Sequence, residues 1–330
     1  MSEIIETLDH DFNTDSCFRI RRSKEVKQDF YGYVSAFLTE RGWQGRTDGD
    51  FDCGFGKISN IIFGDERKAK IILGAHYDTP KTGYTAPNFY ITNNRGYAVD
   101  WVIGGGILGV VFGGATAAYK LTKKASGSNA LSAAAAGTWL ALMAAYTAVS
   151  FTWDNPTNFN DNTSGCIALL AIADRIAKEA PELRDDICIV FFDKEENGVL
   201  GSKKFAKALA GALSPADLQE KLMLNFDCIG GRDPFFRLYS RPGKGVEIAE
   251  QIRALSGRQD FAIHATNHFP SDSNSFKAFP AISFISVSKR LFPGFEKLKD
   301  THSKRDNFFN VPMVTEYVDL AVRFLLSRSR

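Results

Sequence analysis

KIILGAHYD (residues 70–78) and ICIVFFDKEE (187–196) decide the fold. Each is a short run of Ile, Leu, Val or Phe that ends abruptly in polar residues. An apolar run of that length, without alternation, fits a strand buried on both faces. SNIIFG (59–64), LMLNFDCIG (222–230) and AISFISV (281–287) have the same character. Helical periodicities lie around and between them. Residues 24–42 place Val26, Phe30, Val34 and Phe37 on one face, and CIALLAIADRIAKEA (166–180), KGVEIAEQIRALS (244–256) and VTEYVDLAVRFLLS (314–327) follow. Strands alternating with helices predict an α/β fold: a doubly wound, mostly parallel central sheet flanked by helices.

Residues 82–155 break this rhythm. The stretch is rich in Gly and Ala and nearly uncharged in its middle. It reads as an inserted apolar helical hairpin that interrupts a domain made of 1–81 and 156–330. Residues 101–119 and 129–153 carry no charge, and each approaches the roughly 20 residues that cross a bilayer. Trp101, Tyr119 and Trp153 stand at the ends, where interfacial aromatics belong. Gly105, Gly109 and Gly113 recur every four residues, as do Ala133, Gly137, Ala141 and Ala145. Such stripes let two backbones approach closely. Folding back about the lysine-bearing loop 120–128 pairs Gly113 with Gly137, Gly109 with Ala141 and Gly105 with Ala145. Two environments fit: a membrane contacted through 101–119 and 129–153, or burial of the hairpin against its own domain or a partner subunit. The opening MSEIIETLDHDF is acidic and lacks the apolar core of a secretory signal. The expected location is membrane-associated through the hairpin and otherwise cytoplasmic.

A chain of 330 residues accommodates one large α/β domain plus an insert. With 44% hydrophobic and 24% charged residues and a net charge of +2, it has an ordinary globular composition and no nucleic-acid signature. Its five cysteines form no Cys-x-x-Cys pair. Cys188 and Cys228 lie in apolar runs and read as buried small hydrophobes, consistent with a reducing compartment.

The chemistry gathers where the apolar runs end. His76 and Asp78 are two apart on a strand end, so both side chains share a face. A metal-bound histidine commonly gives its other ring N–H to a carboxylate, and His-x-Asp meets that need. Taken singly, His76 is better explained by an ordinary surface or strand-end position. Asp161, in FNDNTSG, could cap the helix that follows or offer an oxygen to each of two metals. Glu195 and Glu196 follow a strongly apolar strand, at the kind of strand end where open α/β sheets place active sites. Asp227 ends MLNFD, and His302 lies in DTHSKRDN before the last helix. Each is unremarkable alone. The ordered set His-x-Asp, Asp, Glu-Glu, Asp, His mixes imidazole and carboxylate as zinc accepts them. His264 and His268 fall outside the order, and His10 lies near the amino terminus.

GAHYDT, NDNTSG, FFDKEENGVLGS, NFDCIG and DTHSKRDN resemble the metal-binding segments of the dizinc aminopeptidases of peptidase family M28. The resemblance covers roughly 59–81 and 156–330. It implies two zinc ions, with other divalent metals possible. His76 and Asp227 would hold one, Glu196 and His302 the other, and Asp161 would bridge them. Glu195 would be the general base and Asp78 the partner of His76. The implied activity is removal of N-terminal residues from a peptide substrate by a water activated between the metals. PSDSNSF departs from the family pattern: Ser273 stands where histidine is usual, while Ser271 and Asp272 are retained. The departure bears on specificity. A glutaminyl-cyclase-like enzyme with one zinc, a carboxypeptidase, and a non-catalytic membrane adaptor with the same fold are the competing readings. The complete ligand set argues against the adaptor.

Overall fold

The computed structural model describes residues 2–14, 18–51, 57–80, 89–91, 109–152, 156–232, 235–267, 269, 271–292, 295–298 and 300–328. Its strands are β1 (Gly45–Thr47), β2 (Ile61–Phe63), β3 (Ile71–His76), β4 (Phe89–Ile91), β5 (Ile187–Phe192), β6 (Leu222–Phe226), β7 (Phe235–Ser240), β8 (Ala262–Ala265), β9 (Ala281–Phe292) and β10 (Phe295–Lys297). They form one sheet in the order β1-β2-β5-β3-β6-β9-β10-β4, and β7 pairs with both β8 and β9. The central strands β5, β3, β6 and β9 are parallel. Antiparallel pairings β1–β2, β2–β5, β9–β10, β10–β4 and β7–β9 flank them. The sheet is therefore mixed, with the expected parallel order in its centre and again where β7 meets β8.

Helices are α1 (Ser2–Asp9), α2 (Lys24–Thr39), α3 (Gly114–Ser126), α4 (Asn129–Thr152), α5 (Ser164–Glu179), α6 (Leu200–Ala212), α7 (Pro215–Gln219), α8 (Lys244–Ser256) and α9 (Val311–Arg328). Every residue of β3 is buried. Ile71, Leu73 and Ala75 join the main core with Phe30 and Val34 of α2, Ile167 to Ile176 of α5 and Val314 to Leu325 of α9. On the opposite face Ile72 packs with Val190, Phe192, Met223 and, from α6, Phe205 and Leu209. A strand covered on both sides needs apolar residues at successive positions, which is why these runs do not alternate. A side chain at Gly74 would lie 2.4 Å from Met223 Cε and 2.5 Å from the Phe192 ring, so the strand is held close by having none there.

The chain leaves β3 for β5 on one side and reaches β6 on the other. Strand ends at such a reversal open a crevice in which α/β proteins bind ligands. His76 ends β3, and the loops after β5 and β6 carry Glu195, Glu196 and Asp227.

The stretch 82–155 differs from the expected hairpin in two ways. It contributes a strand, β4, which pairs with β10. Its helices α3 and α4 turn at Gly127, within the expected loop 120–128, where φ is +71° and the Gly127 amide donates a hydrogen bond to Lys123 O. The contact between them also uses another face. Ala133, Gly137, Ala141 and Ala145 are exposed, and a side chain at Gly113 or Gly137 would meet nothing within 4 Å. Trp139 instead fills the gap over Gly114, where a Cβ would lie 2.4 Å from the indole, and its Nε1 donates to Val111 O at 3.1 Å. One large ring against one glycine fixes a register that the repeated small residues left degenerate. Leu121, Leu131, Leu140 and Leu142 point outward. Among the described residues no helix is long and apolar enough to cross a membrane. Trp101, Gly105 and Trp153 lie outside the described residues.

Candidate metal centre

Asp161 lies at the middle of the cluster. Its Oδ1 is 3.2 Å from His76 Nε2 and its Oδ2 is 3.0 Å from His302 Nε2. Glu196 Oε2 is 3.1 Å from His302 Nε2, and Asp227 Oδ1 is 3.7 Å from His76 Nε2. Two imidazoles thus face opposite oxygens of one carboxylate, each with a second carboxylate beyond. His302 is the most accessible of the set, its side chain 25% exposed against 1% for His76, so the approach from solvent is on the His302 side.

The loop that carries Asp161 is fixed by side-chain hydrogen bonds rather than by regular structure. The amides of Asn160 and Asp161 donate to the two oxygens of Asp306 at 2.7 and 3.0 Å. Asn162 Nδ2 donates to Phe226 O, and its Oδ1 accepts from the amides of Gly165 and Cys228. Asn160 Oδ1 accepts from Gly230 N, and Ser164 Oγ from Ile229 N. The NDNTSG segment is thereby stitched to the loop after β6, which carries Asp227. A side chain at Gly165 would come within 2.3 Å of Phe226 O, so this seam needs glycine.

His76 Nδ1 lies 3.2 Å from the backbone carbonyl of Asp78 and 3.5 Å from its Oδ1. A proton on Nδ1 leaves Nε2 free to face Asp161. The Asp78 carboxylate has a second task that its spacing from His76 did not reveal: it accepts the amides of Glu195 and Glu196 at 3.0 and 3.3 Å. Asp193 anchors the start of the same loop, accepting the amides of Ser59 and Lys194 and the ammonium of buried Lys27. Asp227 Oδ2 accepts from Ser271 Oγ at 2.6 Å, and Ser271 accepts from Asn225 Nδ2. Ser273, at the position of family departure, accepts from Ser283 Oγ at 2.7 Å.

Electrostatics follow from packing these acids together. Burial raises the Glu195 carboxyl well above the usual carboxylate range; Glu196, Asp227 and Asp272 add repulsion, against the pull of His76. Burial likewise pushes Glu196 up to about 7, helped by Asp161 and opposed by His302. Burial works against a charged His302, yet Glu196 and Asp161 outweigh it and hold that imidazole at about 11. Asp272, beside Ser273, is pushed to about 7 by burial.

Four residues near the centre were not singled out by motif. Asp306 holds the Asp161 loop. Lys27 pairs with Asp193. Cys228 stands beside Asp227. Arg21 is fully buried: its Nε donates to Tyr77 O, Nη1 to Phe18 O at 2.6 Å and to Thr163 Oγ1 at 3.1 Å, and its amide to Thr79 Oγ1. It joins the segment bearing His76 and Asp78 to the segment bearing Asp161. A lone arginine near an amino terminus offers no sequence signal for that role, whereas Asp306, four residues past His302, could have been noticed as an acid flanking the last helix. His10 is exposed and His264 packs on Tyr239, both away from the cluster. His268 lies outside the described residues.

The donor set fits divalent cations. Ligand atoms of His76, Asp161 and Glu196 lie within 4.8 Å of one another, as do those of Asp161, Asp227 and Cys228. Glu196 Oε1 is buried with no hydrogen-bond partner, an orphan that a cation satisfies.

Imidazoles and carboxylates converging at the carboxyl ends of parallel strands define the metal-dependent hydrolase class of α/β protein. The model of peptidase family M28 matches residues 132–316, and the chain belongs to that family. The match takes in Asp161, Glu195, Glu196, Asp227 and His302 and begins after His76 and Asp78. No curated protein matches the sequence. Among solved structures, the chain is similar to a Zn-dependent exopeptidase from Parabacteroides distasonis at 16% identity and a TM-score of 0.61, covering 97% of each chain. Porphyromonas gingivalis glutaminyl cyclase is similar at 16% identity and 0.60, covering 99% of this chain and 98% of that one. The LapA aminopeptidase of Legionella pneumophila follows at 13% and 0.60, covering 99% and 72%. At these identities the likeness establishes a shared fold.

Proposed function

We propose that this peptidase is a zinc-dependent exopeptidase of the aminopeptidase type, with two zinc positions that share Asp161. His76, Asp227 and one oxygen of Asp161 hold the first. Glu196, His302 and the other oxygen of Asp161 hold the second. The observation that carries this reading is the Asp161 carboxylate lying between two imidazoles at 3.2 and 3.0 Å. Zinc bound there supplies a Lewis acid for the scissile carbonyl and acidifies a water for attack at neutral pH. Glu195 takes the proton from the attacking water and returns it to the leaving amine; a carboxyl raised by burial is suited to both halves of that transfer. Asp78 positions His76 through its carbonyl and the Glu195–Glu196 backbone through its carboxylate. Arg21 and Asp306 position the segments that carry His76 and Asp161. The metallopeptidase domain is taken as 1–81 and 156–330, with 82–155 inserted; the pairing of α3 with α4 over Trp139 supports that division.

A panel of aminoacyl arylamides, N-terminally blocked peptides and N-terminal glutaminyl peptides tests the proposal. Hydrolysis of unblocked substrates alone is expected. Ring closure of the glutaminyl peptide without hydrolysis, at one zinc per chain, overturns it in favour of a cyclase.

A further inference from the structure

We propose that the Cys228 sulfur is a ligand of the metal held by His76 and Asp227, which makes the two metal positions chemically unequal. The inference rests on the two-site reading above and adds a donor that reading does not use. Cys228 is 2% exposed and directly follows Asp227. Its sulfur and a carboxylate oxygen from each of Asp161 and Asp227 lie within 4.8 Å of one another. Asp161 and Asp227 are also the two carboxylates that face His76 Nε2, at 3.2 and 3.7 Å. The same two carboxylates thus face both the His76 imidazole and the Cys228 sulfur.

The backbone holds the sulfur there. Cys228 has φ +54°, a left-handed conformation that side-chain-bearing residues rarely adopt. It is pinned from both ends: its amide donates to Asn162 Oδ1 at 3.2 Å, and its carbonyl accepts from Ser286 N at 3.0 Å and Ser286 Oγ at 2.6 Å. Asn162 belongs to the Asp161 loop, so the same side chain orients carboxylate and thiol. The other described cysteines are placed differently. Cys166 directs its thiol to the His76 carbonyl, and Cys188 is packed in the core with Ile72 and Val190. The competing account makes Cys228 a filler between the acids and the apolar cluster of Tyr239, Phe269, Ile285, Val287 and Leu298.

On metal binding the S–H bond breaks, its proton passes to solvent, and the sulfur lone pair forms the bond to the cation; no oxidant is needed. Counting donors, the His76 position then has four protein ligands and is closed, as structural zinc sites are. The His302 position has three and keeps a place for water or substrate. A thiolate also selects zinc, cobalt or cadmium over manganese at the closed position.

The test uses the full chain, stripped of metal and reloaded with cobalt(II) alone or zinc(II) alone. The cobalt form is expected to show a near-ultraviolet sulfur-to-cobalt charge-transfer band. Cys228→Ser should lose the band, and Cys166→Ala should keep it. X-ray absorption at the zinc edge of the unmutated chain, which needs no variant, should show a sulfur scatterer at about 2.3 Å. Cobalt bound with only nitrogen and oxygen signatures, or a band that survives Cys228→Ser, overturns the sulfur ligand and leaves the two-site reading intact. A chain that binds neither metal overturns both.

Discussion

The Asp161 loop and the α3–α4 pair are both short departures from the central sheet, and they are built on opposite principles. The loop is buried and specified by directional bonds: Asp306, Asn160, Asn162 and Ser164 each saturate a named backbone group. The helical pair is specified by shape at one place, Trp139 over Gly114, and leaves Leu121, Leu131 and Leu142 in solvent. Polar networks in a low-dielectric interior tolerate few alternatives, because each broken partner leaves a buried group unsatisfied. Small apolar residues tolerate many. Substitutions should therefore be costly near Asp161 and nearly silent on the outward face of the pair.

Glu195→Gln should give the largest effect. It removes the proton carrier, so turnover on an aminoacyl arylamide is expected to fall by about 10²–10⁴-fold with zinc content retained. Loss of zinc in parallel would mean that Glu195, not Glu196, is the ligand.

Arg21→Met comes next. It leaves the Tyr77 carbonyl and Thr163 without their buried donor, and the two ligand-bearing segments lose their clamp. Zinc affinity, measured by competition with a chelator, should weaken by about 10–100-fold. Unchanged affinity at unchanged folding would remove Arg21 from the site's support.

How much of this was legible in sequence follows the same division. His76, Asp161, Glu195, Glu196, Asp227 and His302 were marked as candidates by their residue types, by the strand ends before them and by the resemblance to family M28, and the structure brings His76, Asp161, Glu196, Asp227 and His302 together. The central strands β3, β5, β6 and β9 were legible because two-sided burial forbids polar residues along them. Arg21 and Lys27 were not, since any polar side chain looks alike until the fold brings it to a partner far away in sequence; Asp306 had only its place after His302 to mark it. Strands β1, β4 and β8 were missed because each is paired on one side only, where edge pairing asks little of sequence; β7 and β10, which link β8 and β4 to β9, were missed with them. The register of α3 on α4 was misread because the four-residue spacing of Ala133, Gly137, Ala141 and Ala145 marks a face without saying which way it points.

Proton release sharpens the electrostatic side. As ligands, Glu196 and His302 must both be deprotonated. With Glu196 at about 7, His302 at about 11 and His76 held, against burial, well above its ordinary value by Glu195, Asp161 and Asp227, both histidines carry an extra proton at pH 8, and Glu196 adds another at pH 6. Zinc binding should therefore release about one more proton at pH 6 than at pH 8, and affinity should fall as pH falls through 7. Calorimetry in buffers of different ionisation enthalpy reads this number; equal release at the two pH values would contradict the assigned coupling.

Leu121→Glu and Leu142→Glu should do least. Both side chains are more than half exposed, at 68% and 57%. Stability should change by no more than about 0.5 kcal/mol, with zinc content and turnover unaltered. A large loss of either would show that the outward face is covered by something in solution and would erase the contrast with the Asp161 loop.

Zinc content followed together with aminoacyl-arylamide hydrolysis, through chelation and stepwise return of the metal to the intact chain, tests the central claim most directly. Activity should vanish as zinc is removed and return with it, saturating at about two zinc ions per chain, as a paired site requires. Full hydrolysis by a chain shown to contain no metal would contradict the account.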